Sequence, residues 1–82
     1  MEDKSKPDIK KRFGLAVKQR RHELGISQEE LSFRAGLRRT YVSDIERGSR
    51  NTSLENIEKL AKALEISVSA LFAHYGIEKE ND

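Results

Sequence analysis

"QEELSFRAGLRRTYVSDIERG", residues 28–48, decides how the chain is read. It divides at Gly36 into two short segments with helical spacing of apolar residues. In the first, predicted as a helix over 28–35, Leu31 and Ala35 face inward. In the second, predicted over 39–47, Val42 and Ile45 form the buried stripe. Steps of three and four place Arg39, Thr40, Ser43, Asp44 and Arg47 together on the opposite side. Gly36 permits the tight turn between the two, and Leu37 after it serves as an apolar plug. Arg38, Arg39, Thr40 and Tyr41 therefore crowd polar and cationic groups where the most central helix begins. That is a surface built to meet something.

Upstream, Ile9, Phe13, Val17 and Leu24 recur at helical spacing with Ala16 beside them, predicting a first helix over 9–24 that stops at Gly25. "SQEE" follows, with Ser27 as the cap of the second helix and Glu30 three places on, the pattern of a capping box. Downstream, Gly48 ends the third helix and "SRNTS" is a polar loop. Thr52 with Glu55, or Ser53 one place later, caps a fourth helix running to about residue 64, with Leu54, Ile57, Leu60, Ala61 and Leu64 on its buried face. Ser67 caps a last short helix carrying Val68, Leu71, Phe72 and Tyr75. No strand-like alternation and no internal repeat appear. The expected fold is all-α, five compact helices. Residues 1–8 are expected as a flexible arm, 9–75 as the domain, and 76–82 as a loose acidic tail.

With 82 residues, one domain is expected. A chain this short buries only about 60–65% of its unfolded surface, so its core must be locally connected. Cysteine is absent, which excludes a disulfide framework and thiolate metal sites. No apolar run is long enough to span a bilayer, and the first residues lack the apolar core of a signal peptide. A cytoplasmic protein is expected. The net charge of +2 hides an uneven distribution. Residues 10–24 set Lys10, Lys11, Arg12, Lys18, Arg20 and Arg21 against Glu23 alone, whereas the chain from Thr52 onward is acidic. A basic region on a near-neutral protein fits either a polyanion partner or a solvated helix face. His22 and His74 are too far apart in sequence for ligand spacing, and neither a phosphate loop nor a nucleophile elbow is present. No catalysis, metal or cofactor is expected.

Helix, glycine turn, helix is the spacing of a helix-turn-helix, whose second helix enters the major groove. "GISQEELSFRAGL", "YVSDIERG" and "SLENIEKLAKALEIS" together resemble the lambda-repressor-like, Xre-type family over about 13–72. "RTYVSDIERGSRN" is especially similar to the small controller proteins of restriction–modification systems. The resemblance implies a homodimeric regulator that binds a palindromic operator in double-stranded DNA. It also implies activation of an endonuclease gene at one occupancy and self-repression at higher occupancy. Activation implies contact with RNA polymerase, for which the sequence locates no patch. The alternative is a protein-binding module of the same fold, such as an antitoxin or adaptor.

Carried onto this sequence, the resemblance makes Gln28 a phosphate clamp, which suits the free N–H groups and partial positive charge of a helix start. It makes Arg39 and Thr40 base readers, since arginine pairs bidentately with guanine O6 and N7 and threonine can bond a base edge or touch a thymine methyl. Ser43 and Asp44 lie one turn deeper, and Asp44 either accepts from a cytosine N4 amino group or points away. Tyr41, Arg47, Arg50 and Asn51 are placed for flanking phosphates, which set register while bases set sequence. Arg38 is a further phosphate contact or a free rim charge, and Tyr41 could instead lie over the core with its hydroxyl outward. Arg21 and Glu46 match a family pair joining the first helix to the third. Three departures stand out: Arg20 occupies a usually apolar position and predicts a more exposed first helix there, Ser32 replaces a usual alanine, and Asp44 is an acid beside DNA. Val68 and Leu71 are expected to close the core. Phe72 and Tyr75, with Ile66 and Ile77 nearby, are left without internal partners and are expected to form the dimer interface.

Overall fold

A side-chain oxygen opens four of the five helices found among residues 8–78, the residues described by the computed structural model. Asp8 accepts from the Lys11 amide to start α1 (Ile9–Glu23), and Ser27 accepts from the Glu30 amide to start α2 (Gln28–Ala35). Ser53, not Thr52, accepts from the Asn56 amide to start α4 (Leu54–Ala63), and Ser67 accepts from the Ala70 amide to start α5 (Val68–His74). Each bond satisfies a donor that a helix start would otherwise leave open. Glu30 gives its carboxylate to Arg34 Nε, at 2.9 Å. The exception is α3 (Arg39–Glu46), whose preceding residue Arg38 makes no side-chain capping bond.

The helix ends repeat one device. The amides of Ile26, Leu37, Ser49 and Ile66 each reach back five residues, to the carbonyls of Arg21, Ser32, Asp44 and Ala61. The residue before each of these amides is left-handed. In three cases it is a glycine, and in the fourth it is Glu65, with φ 58°. Such a closing turn needs φ > 0 just past the helix. At Glu65 the ordinary side chain bears that geometry while Arg20 braces the turn. Arg20 Nε donates to the Leu64 carbonyl at 2.9 Å and Nη2 to the Glu65 carbonyl at 3.1 Å. Arg20 was expected to leave α1 more exposed; instead it is half-buried across the C-terminal carbonyls of α4.

The core is drawn from all five helices, with Val17, Leu31, Val42, Ile45, Leu60, Leu64 and Leu71 fully enclosed. α3 is wedged between α1 and α2, and α4 and α5 close the remaining side. The approach of α1 to α3 depends on two glycines. A Cβ on Gly14 would lie 2.2 Å from the Ile45 carbonyl oxygen and 2.9 Å from that of Glu46. At Gly48 a Cβ would lie 2.7 Å from Lys11 Cγ and 2.8 Å from Lys11 Cα, on a backbone that is itself left-handed. Only hydrogen fits in either place.

Several expectations change at the ends of the chain. Leu54, assigned to the buried face of α4, is 85% exposed, because as the first helical residue it projects beyond the neighbouring helices. Val68 and Ile9 are also substantially exposed. Phe72 does have an internal partner: its ring packs on Phe13 with centroids 5.8 Å apart. Tyr75 is half-buried, and its hydroxyl donates to Glu23 and accepts from Arg20. Ile66 is also partly buried against the core. Ile77, expected in a loose tail and at a dimer interface, is 0% exposed within its own chain. Its carbonyl accepts from Arg12 Nε at 2.7 Å, which fastens the chain past α5 back onto α1. The rest of the expected tail, 79–82, and residues 1–7 of the expected arm lie outside the described residues. No described helix is long and apolar enough to cross a membrane.

Candidate nucleic-acid interface

The position of α3 is set from beneath by a buried ion pair. Arg21 on α1 donates to both carboxylate oxygens of Glu46, Nε to Oε2 at 2.7 Å and Nη2 to Oε1 at 2.9 Å. Its third donor, Nη1, reaches the Ile26 carbonyl at 2.9 Å. The two residues are 7% and 8% exposed. The hydrogen bonds to Glu46 raise the Arg21 pKa above its ordinary value, against the opposing effect of burial and with help from the carboxylate charge. Fork-to-carboxylate pairing of this kind fixes orientation as well as distance, so it sets how α3 sits on α1.

The same carboxylate extends the chain of contacts outward. Gln28 Nε2 donates to Glu46 Oε1 at 3.0 Å, and Gln28 Oε1 accepts from Arg39 Nη1 at 3.4 Å. A continuous line thus runs from α1 through Glu46 and Gln28 to the first residue of α3. The expected phosphate clamp, Gln28, lies at the start of α2 and points at α3, holding Arg39 within reach.

Arg39 and Thr40 are exposed on the outer face of α3, and Ser43 and Asp44 are partly exposed one turn on. Arg38, Arg47, Arg50 and Asn51 are exposed around them. Arg38 provides no cap, and the first amides of α3 have no side-chain acceptor among the described residues. Tyr41 is half-buried, its hydroxyl accepting from Asn56 Nδ2 at 2.9 Å. The Arg50 guanidinium lies over its ring, 4.7 Å from the centroid. Arg47 Nη1 donates to Ser43 Oγ at 3.0 Å, and Asp44 pairs with both Arg47 and Arg50.

The structure therefore brings the expected base-reading and phosphate-facing residues onto one surface. It couples several of them to each other instead of leaving them free. Sequence reasoning missed Asn56, which steadies Tyr41, and Gly14, which admits α3 against α1. A lone glycine inside an otherwise well-formed helix was the available signal for Gly14. Asn56 carried none beyond being polar on a half-buried helix face.

This chemistry is cationic and projects from one helix of a helix–turn–helix unit. Residues 17–71 match the helix-turn-helix family. The control protein C.BamHI of Bacillus amyloliquefaciens is 55% identical over 70% of this chain and 72% of its own length. The crystal structure of the restriction–modification controller protein C.AhdI from Aeromonas hydrophila is 49% identical, with a TM-score of 0.75 over 77% of this chain and 96% of that one. The controller C.Esp1396I, solved as a tetramer with its natural 35 base-pair operator, is 36% identical, with a TM-score of 0.76 over 82% of this chain and 88% of that one. The chain belongs to the helix-turn-helix family and, within it, to the control proteins of restriction–modification systems.

Proposed function

We propose that this protein binds its own operator as a homodimer, inserting α3 into the major groove of each half-site. It acts in the cytoplasm, activating an endonuclease gene through RNA polymerase at one occupancy and repressing itself at higher occupancy. The observation that carries the DNA reading is Arg39: an exposed arginine at the uncapped start of α3, its guanidinium oriented by Gln28, which is itself anchored on the buried Glu46. Arg39 and Thr40 read base edges, and Ser43 lies one turn deeper. Arg38, Arg47, Arg50, Asn51 and Tyr41 face the flanking phosphates, as does the start of α2. C.Esp1396I assembles as a tetramer on its operator, and two successive dimers on adjacent sites are the corresponding assembly here.

Exposed apolar side chains support a dimer face at the starts of α1 and α4. An apolar groove of about 280 Å³ runs between the starts of α1 and α4 and the side of α5, lined by Ile9, Phe13, Leu54, Ile57 and Phe72. A second copy of the chain fills it. Asn51 and Thr52, from the loop that follows α3, lie in its wall. A dimer across this face is to present its two copies of α3 to half-sites about 34 Å apart. The test is binding of the DNA upstream of its own gene, with an unrelated duplex as competitor. Arg39→Ala is expected to lose roughly 1–3 kcal/mol of discrimination per half-site while general DNA binding persists. Equal loss on both duplexes overturns direct base reading by Arg39.

A further inference from the structure

Asp44 is the only acid on the outer face of α3, and each oxygen of its carboxylate faces an arginine. Oδ1 takes Arg47 and Oδ2 takes Arg50, the latter at 3.5 Å. Its backbone carbonyl also accepts from the Ser49 amide at 3.0 Å and from Ser49 Oγ at 3.1 Å. Asp44 is thus the hub of the segment between the helix and Arg50. One face of Arg50 is covered as well, by the Tyr41 ring. Two arginines on the surface proposed to meet phosphates are therefore paired within the chain.

We propose that Asp44 is a specificity-determining latch, which releases Arg47 and Arg50 to DNA phosphates at low cost only where the groove offers its carboxylate another donor. This rests on the DNA-binding reading above. Moving either arginine to a phosphate leaves Asp44 as an anion among phosphates. On an arbitrary sequence that charge has no compensation. Where a cytosine N4 amino group, or another exocyclic amino group, lies opposite, the carboxylate accepts from it and part of the lost pairing is recovered. Phosphate attraction is otherwise independent of sequence. The latch makes part of it conditional on a base, and so suppresses binding to the wrong DNA more than binding to the operator.

The test uses the full chain and its Asp44→Asn variant. Each is titrated by fluorescence anisotropy against the upstream operator duplex and a scrambled duplex of equal length, from 50 to 200 mM salt. The variant is expected to bind the scrambled duplex roughly 2–5-fold more tightly for each arginine released. The dependence of log K on log salt should steepen by about 0.9 per protomer for each arginine released. The operator should gain less or lose affinity, so the ratio between the two falls. Equal gains on both duplexes make Asp44 a uniform counter-charge and overturn the latch; so does an unchanged salt slope. Asp44→Asn in an Arg47→Gln, Arg50→Gln background should no longer steepen the slope, and a slope that still steepens also overturns it. Circular dichroism checks folding, and Asp44→Ser supplies a second neutral side chain should the asparagine variant melt. A wild-type protein that fails to favour its upstream duplex refutes the DNA reading itself. A discriminating wild type with an equally discriminating variant refutes the latch alone.

Discussion

Replacing Glu46 by alanine is expected to destabilise the free protein far more than loss of an ordinary surface pair. The substitution leaves Arg21, 7% exposed, with the Ile26 carbonyl as its remaining hydrogen-bond partner among those described. Breaking a buried pair from one side costs about 3–5 kcal/mol, because the surviving charge stays out of water. A domain of this length has a total stability of only about 4–12 kcal/mol. Each kcal/mol moves the melting temperature of so small a domain by about 4–8 °C. Glu46→Ala should therefore melt at least about 12 °C below wild type by circular dichroism without DNA. Replacing the pair together, Arg21→Met with Glu46→Leu, removes both charges and should recover most of that loss. The double variant should still bind the operator weakly, since Gln28 then loses the carboxylate that anchors it. A single variant melting within a few degrees of wild type would refute the reasoning, by showing that Arg21 escapes to solvent when its partner goes.

Three further perturbations test other parts of the fold. Leu54→Asp should give a folded monomer in sedimentation experiments, with operator affinity reduced by orders of magnitude, because charge enters the groove a second chain is to fill; a variant that remains dimeric places the interface elsewhere. Gly14→Ala should cost about 1–3 kcal/mol in a denaturant titration, despite alanine's better helix propensity, because the added methyl meets two backbone carbonyls; unchanged stability would mean α1 can move off α3 freely. Glu65→Gly should raise the melting temperature by about 4–8 °C, since relief of a left-handed side chain is worth roughly 1 kcal/mol and the exposed ion pair to Arg34 is worth less; a lowered melting temperature would show that pair to be the stronger term.

What the sequence by itself determined is local. Apolar spacing, together with Ser27, Ser53, Ser67 and the glycines after α1, α2 and α3, marks all five helices, because caps and periodicity act within a turn or two. The same spacing separates Val42 and Ile45 from Arg39, Thr40 and Ser43, which is why the outward face of α3 is legible in the sequence. Periodicity identifies a face without saying what covers it, and there the tertiary structure decided. Leu54 and Ala61 share a helical stripe, yet the stripe reaches past the core and only Ala61 is enclosed. Local spacing leaves Phe72 without a partner because Phe13, which receives it, lies far away in the chain. Ile77 sits beyond the last helix in an acidic stretch, and is buried because Arg12 draws its carbonyl onto α1. Asp44 could be placed on the outer face from its register, but its engagement by Arg47 and Arg50 depends on how the chain turns after Gly48. Contacts between side chains are decided by the path of the backbone between them, which local spacing does not contain.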